Sequence, residues 1–112
     1  MEELKLELVE EFKKEEGQYQ NYEIGRYEVQ VSIYEWGKNI CVFPKDCRDY
    51  YLPNIYYVNN TAFDENAKER FTIASVSYGS VEISEMQQIV EAYEHAVKVA
   101  KLLEAEFIKK GE

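Results

Sequence analysis

The clearest hydrophobic periodicity lies over residues 84–110, where apolar residues recur every seven positions in two series offset by three. Val90 and Val97 widen this stripe. The pattern predicts a long amphipathic helix whose apolar face lies on a sheet, and a coiled-coil seam is the alternative for the same spacing. Ser84 and Gln87 have the spacing of a capping box. The two series are Met86, Tyr93, Ala100 and Phe107, and Ile89, Ala96 and Leu103.

The N-terminal segment 2–16 is predicted to form a second helix that ends at Gly17. It is rich in helix-forming residues, and Val9 is its one β-branched residue. The leucines also alternate with polar residues, which is a strand signal, but length and composition favour a helix. The face of this predicted helix consists of Leu4, Leu8, Val9 and Phe12.

Between these segments, runs that alternate or are rich in β-branched and aromatic residues predict four strands. The first has Tyr27, Val29, Val31 and Ile33 on one face, with Gly25 as a bend near its start. A polar stretch from Asp64 is compatible with one short helical turn. The predicted strands span residues 22–36, 40–43, 55–58 and 71–78.

The predicted order is therefore α-β-β-β-β-α in a single α+β domain over residues 1–112. Short connections between consecutive strands favour a four-stranded antiparallel meander. We expect the N-terminal helix and the long C-terminal helix to pack side by side on one face of the sheet. The other face is then open to solvent or to a partner.

Charge narrows the range of partners. The chain has 22 acidic and 13 basic residues, for a formal net charge of −9. This balance predicts no direct binding to nucleic acid or to an anionic membrane, and it is compatible with binding to a basic protein surface. No apolar run reaches the length of a membrane span, and the acidic N-terminus lacks the apolar core of a signal peptide. We therefore expect a cytoplasmic protein.

The sequence offers little catalytic chemistry. It contains no nucleophile elbow, P-loop or dinucleotide-binding motif. Cys41 and Cys47 have neither redox nor zinc-knuckle spacing, and we expect Cys41 to be buried and Cys47 to be exposed. His95, the one histidine, falls off the apolar stripe and is expected at the surface. The prediction is a protein that is not an enzyme and that has no cofactor and no metal site.

Tyrosine is the compositional exception, with ten residues in 112. Several are adjacent in sequence, and adjacent residues of a strand point to opposite faces, so some of these rings must lie at the surface. Tyrosine supplies rigid contact area with a polar tip and is enriched at interfaces, although strands also favour it for packing. The candidate partner-binding residues are Tyr34, Trp36, Tyr50, Tyr51, Tyr56, Tyr57, Asn59 and Asn60.

These features predict a non-catalytic protein-interaction module that binds a protein partner or a second copy of itself. In size, acidity and element order, the chain resembles small proteins of phages and mobile elements, such as anti-CRISPR and anti-restriction proteins. That resemblance implies an acidic decoy that occupies the basic channel of a nucleic-acid-binding protein. A domain that binds a small ligand in a tyrosine-lined pocket is the second alternative.

Overall fold

A computed structural model describes residues 4–59 and 68–108. In this part of the chain, six strands form one antiparallel sheet in sequence order, and one long helix follows them. The α+β class and the antiparallel meander of the sequence analysis are confirmed. The elements are β1 (Glu7–Lys14), β2 (Gly17–Ile24), β3 (Tyr27–Tyr34), β4 (Gly37–Pro44), β5 (Ile55–Val58), β6 (Arg70–Ile73) and α1 (Ile83–Phe107).

The first four strands are built on a regular repeat of eight strand residues and two turn residues. Their register is continuous, apart from one irregularity in β1 between Leu8 and Glu10. The turn between β2 and β3 is Gly25–Arg26, and Gly25 has a φ of 56°. Glycine adopts this left-handed conformation without steric penalty, and it is typical of the first position of a type II′ hairpin turn. Short turns therefore fix which side chains share each face.

The core lies between one face of the sheet and α1. Strands β2 to β6 contribute alternate residues to it, and the helix contributes one side. The helix crosses the sheet diagonally, since Tyr51 donates a hydrogen bond to Glu85 near its start, while Phe107 at its end packs on Tyr22 of β2. The buried helix residues are Ile89, Ala92, Ala96, Val99, Ala100 and Leu103.

The predicted N-terminal helix is wrong, because this segment contains β1, and α1 is the single helix of the described residues. All eight residues of β1 are exposed, and of the predicted helix face only Leu4 packs against the core. The strand pairs along its whole length with β2 through the two-residue turn Glu15–Glu16. Cross-strand pairing outweighs the local helix propensity here, because isolated helices of this length are marginal in water.

The predicted number of four strands is also wrong. The segment read as one strand over residues 22–36 is a hairpin, and Gly25 is its turn rather than a bend within a strand. The last strand ends at Ile73, so residues 74–78 leave the sheet, which explains their broken alternation. The prediction for β5 is confirmed with the same bounds. The helical turn expected from Asp64 lies outside the described residues.

The long helix is confirmed, but its buried face is rotated from the predicted one. Met86, Val90 and Val97 are between 41% and 48% exposed, whereas Ala92 and Val99 are buried. The strict seven-residue series drifts around a helix of 3.6 residues per turn, and the small alanines mark the side that approaches the sheet closely. The expected capping box does not form, because the helix begins after Glu82 and has no side-chain cap.

His95 and Cys41 also differ from expectation. Cys41 is exposed on the face of β4 that the helix does not cover, and Cys47 is exposed as predicted. The His95 ring is half-buried and stacks on Tyr27 at 6.0 Å between ring centroids. Its Nε2 accepts a hydrogen bond of 3.0 Å from the Arg26 amide. His95 therefore joins the helix to the β2–β3 turn and has a structural role.

Candidate functional site: the open face of the sheet

The face of the sheet opposite α1 has no covering element among the described residues. We call it the open face. The strand register places alternate residues of each strand there, and most of them are polar. A sheet face of this kind is stable in water without a covering layer. Two features stand out from the polar background, an aromatic group at one end and a line of carboxylates at the other.

We define the aromatic row as Phe12, Tyr19, Tyr34 and Trp36. Phe12 and Tyr19 are register partners on β1 and β2, and their rings stack with centroids 5.2 Å apart. Tyr19 meets Tyr34 edge to face at 6.0 Å, and Tyr34 stacks on Trp36 at 4.7 Å. The row therefore runs across three strands to the β3–β4 turn. Trp36 is 80% exposed at its end.

The aromatic row is held in place by polar groups around it. The Lys14 ammonium lies 5.7 Å from the Phe12 ring centroid and 5.8 Å from that of Tyr19, within the range of a cation–π interaction. A hydrogen bond with the Tyr34 side chain, followed by desolvation and the charge of Glu16, raises the pKa of Tyr19 to about 12. Tyr19 therefore keeps its proton throughout the physiological range.

Beside this row lies a pocket of about 570 Å³, which we call the terminal pocket. It brings together four of the eight candidate residues: Tyr34, Trp36, Tyr57 and Asn59. Gly37, Lys38 and Asn39 complete its lining. Lys38 donates a 2.7 Å hydrogen bond to the Phe107 carbonyl at the end of α1 and lies 3.4 Å from Glu69. The pocket wall is thus tied to the helix, and a cation there complements the helix dipole.

Tyr57 belongs to both the pocket and the core. Its ring packs on Phe71 at 5.5 Å, and its hydroxyl donates to Glu69. Desolvation, reinforced by the Glu69 carboxylate, raises the pKa of Tyr57. The packing therefore shows that Tyr57 is not purely a surface residue. Substitution of Trp36 is the better test of this pocket.

The remaining candidates lie elsewhere. Tyr56 is on the open face, two strands away from the aromatic row, and accepts a 3.5 Å hydrogen bond from Asn54. Tyr51 binds Glu85 on the helix side, and Tyr50 is 82% exposed in the β4–β5 connection. Asn60 lies outside the described residues. The seven candidates within the described residues thus do not form one surface.

At the opposite end of the open face, Glu7, Glu23 and Glu28 are aligned across β1, β2 and β3, and we call them the carboxylate line. Lys45 lies 3.5 Å from Glu23. Like charges on directly opposed residues of neighbouring strands destabilise a sheet, so this line opposes folding. It gives this end of the face a negative potential.

A second concave surface lies on the helix side, between α1 and residues 76–79. This groove encloses about 680 Å³. Its apolar walls include Met86, Val90 and Val97, the residues that the predicted stripe wrongly placed in the core. Tyr93 contributes both an apolar ring and a polar group to the groove, because its hydroxyl accepts a 3.2 Å hydrogen bond from the Val76 amide. Lys98, Lys101 and Glu94 lie at the margin.

Catalytic and metal-binding chemistry is sparse in the described part of the chain. Across residues 4–59 and 68–108, no group of three or more His, Cys, Asp or Glu side chains is placed to hold a metal ion. The α1 helix is too polar to cross a membrane, and residues 4–59 and 68–108 hold no other helix.

Phe12, Tyr19 and Lys14 were missing from the predicted site. Phe12 and Lys14 were assigned to the N-terminal helix, and Tyr19 lay between that helix and the first predicted strand, so their contact across β1 and β2 could not be foreseen. The ten-residue spacing of Glu15–Glu16, Gly25–Arg26 and Glu35–Trp36 was the signal that could have revealed it. Comparison with known protein families, curated proteins and solved structures finds no match to this chain. Function must therefore be inferred from its own residues.

Proposed function

We propose that this chain is a non-catalytic protein-interaction module that binds a basic protein surface through the open face of its sheet. The observation that carries the proposal is the pairing, on one uncovered face, of the aromatic row with the carboxylate line. Stacked, exposed aromatic residues are typical anchors of protein interfaces. Carboxylates at the other end would orient a basic partner and speed its association.

The aromatic row has the properties of a preorganised anchor. Its rings already contact one another, so little side-chain freedom is lost when a partner covers them. Trp36 ends the row at the terminal pocket, where Asn39 and Lys38 supply polar groups beside the ring. An apolar centre with a polar margin is the usual anatomy of such an interface.

The carboxylate line supports a basic partner for an energetic reason. Lys45 offsets part of the mutual repulsion within this line through its ion pair with Glu23. A partner that supplies lysine or arginine would relieve the remainder. An acidic decoy, which occupies the nucleic-acid channel of a host-defence enzyme as anti-CRISPR proteins do, is the sharper form of this proposal. In that case nucleic acid would compete with the chain for its partner.

The test begins with capture of a partner from lysate of the native host, followed by binding measurements with the purified partner. Trp36→Ala should weaken binding by about thirtyfold, the effect of removing a hot-spot residue of roughly 2 kcal/mol. Tyr50→Ala is the matched control, because Tyr50 is equally exposed but lies away from the open face. Glu23→Gln with Glu28→Gln should lower the association rate and its salt dependence.

Equal losses in the Trp36 and Tyr50 variants would refute the open face as the binding surface. A partner displaced by added nucleic acid would favour the decoy. A partner that binds equally well with and without nucleic acid would exclude the decoy and would agree with the general interaction module.

A second candidate function, small-ligand binding, is favoured by the groove beside α1. Its volume is within the range of ligand sites, and its walls are apolar with a few polar groups at the margin. Native mass spectrometry of the purified protein would show a bound molecule. If a ligand is found, Val97→Asp should release it, while Ile83→Asp, an exposed change outside the groove, should not.

A further inference from the structure

The free edge of β1 is an unusual feature of this sheet. β1 is the first strand in the described order and pairs only with β2 there. It is eight residues long, and every residue in it is exposed. A long strand edge of this kind presents a row of unpaired backbone groups and is a template for pairing with another strand.

The backbone groups available at this edge follow from the hairpin. Lys14 and Gly17 flank the two-residue turn and form a hydrogen-bonded pair, and such pairs alternate along an antiparallel ladder. The N–H and C=O groups of Glu11 and Lys13 therefore point away from β2, towards the free edge. The side chains of Glu10, Phe12 and Lys14 lie on the open face, and those of Glu11 and Lys13 lie on the other.

We propose that two copies of this chain join edge to edge through β1, antiparallel about a two-fold axis at Phe12, to form one continuous sheet. This register pairs Glu11 with Lys13 of the second copy through backbone hydrogen bonds. It also places Glu10 opposite Lys14 of the second copy. Every charged pair in the segment 10–14 is then of opposite sign, and opposite charges on facing strand residues are stabilising.

Neighbouring registers fail the same test. The nearest other antiparallel registers that keep both open faces on the same side of the joined sheet have their two-fold axis at Glu11 or at Lys13. An axis at Glu11 sets Glu11 against its own copy, and an axis at Lys13 sets two lysines together. Only the register centred on Phe12 avoids like charges within this segment.

The aromatic row gives a second, independent argument. Phe12 is its first member at the β1 edge, and its ring already stacks on Tyr19. With the axis at Phe12, the two Phe12 residues form a non-hydrogen-bonded pair, in which facing side chains are closest. The rows of both copies then join into one continuous aromatic line across the open face. The interface is isologous, as closed two-fold symmetry requires.

This inference does not depend on the proposed partner, because the dimer forms at the edge and leaves the open faces uncovered. The first measurement is the mass of the 112-residue protein by sedimentation or light scattering, with 13.2 kDa as the monomer. We expect twice that mass. With Lys13→Glu, the new glutamate at position 13 of each copy faces Glu11 of the other copy. This repulsion should weaken the affinity of the dimer by about tenfold or more.

A charge exchange makes the test specific. Glu11→Lys should also weaken the homodimer, and a mixture of the Glu11→Lys and Lys13→Glu proteins should form heterodimers, because every Glu11–Lys13 contact is again of opposite sign. Native mass spectrometry of the mixture would detect this species. Circular dichroism of each variant confirms that it folds, since Glu11 accepts hydrogen bonds from Gln18 and Gln20.

Glu104→Lys on the exposed side of the helix is the matched control for a change of charge and should leave the dimer intact. A wild-type protein that stays monomeric up to its solubility limit would overturn the proposal. A dimer that resists both β1 substitutions, or one that Glu104→Lys dissociates equally, would overturn it as well.

Discussion

Substitution of Gly25 by alanine tests both the conformation of the β2–β3 turn and the packing of His95 against it. Gly25 opens the β2–β3 turn with a φ of 56°, a left-handed conformation. For an L-residue with a side chain, that conformation costs about 1–2 kcal/mol. A Cβ at this position would also lie 2.6 Å from His95 Nε2 and 3.0 Å from Leu4 Cδ2. The free energy of unfolding should therefore fall by both a conformational and a steric contribution.

The steric contribution is not relieved by a simple rotation of the histidine. The His95 ring stacks on Tyr27 and accepts the Arg26 amide proton, so moving it breaks both contacts. Overpacking of this kind typically costs about 1–3 kcal/mol. We expect Gly25→Ala to lower the free energy of unfolding by about 2–5 kcal/mol in total, measured by urea denaturation.

Gly79 provides the matched control. It has a φ of 68°, but a Cβ there would have no neighbour within 4 Å. Gly79→Ala should therefore show the conformational contribution alone, about 1–2 kcal/mol. The difference between the two variants measures the steric contribution, and it should shrink when His95→Ala is added to Gly25→Ala. Equal effects of the two glycine substitutions would refute the packing of His95 against the turn.

Two further predictions concern the helix. Burial, followed by the charge of Arg26, lowers the pKa of His95 below 6.5, so the folded state binds a proton less readily than the unfolded state. Stability should therefore fall as the pH drops below about 6.5, and His95→Ala should reduce this slope in pH-dependent urea melts; an unchanged slope would contradict the assignment. Phe107→Asp removes the ring packed on Tyr22 and puts a negative charge at the helix C-terminus, so it should cost about 2–4 kcal/mol in thermal melts. The control Ile83→Asp, an exposed change in the first turn, should not destabilise, and similar melting of both variants would contradict the helix placement.

The sequence correctly predicted those elements whose local hydrophobic pattern agrees with the environment that they have in the folded protein. The strand at 55–58 is short, apolar and bounded by turn residues, and it was predicted with the observed bounds. The helix was predicted because its apolar residues recur over many turns. The side of the helix that faces the sheet was not predicted correctly, because the choice between overlapping apolar faces depends on how the helix crosses the sheet. The alanines, which permit close approach, carried more information than the larger Met86 and Val90.

The N-terminal strand was missed because its residues favour a helix and its stability comes from β2. Nothing in residues 7–14 alone outweighs that propensity, so the decisive signal was the equal spacing of the turns. For the same reason only part of the candidate site was predicted. Tyr34 and Trp36 were identified because they are clustered aromatic residues in the sequence, whereas Phe12 and Tyr19 become neighbours only through the pairing of β1 with β2.

The short turns connect the fold to both proposals. Side chains alternate along a strand, so one added residue in the Glu15–Glu16 turn would move every β1 side chain to the other face. Phe12 would leave Tyr19, and a second copy paired about Phe12 would no longer continue the aromatic row on the open face. The aromatic row and its continuation across the edge of β1 therefore both depend on a single feature, the unbroken register of the first hairpin from the Glu10–Asn21 pair to the Lys14–Gly17 pair.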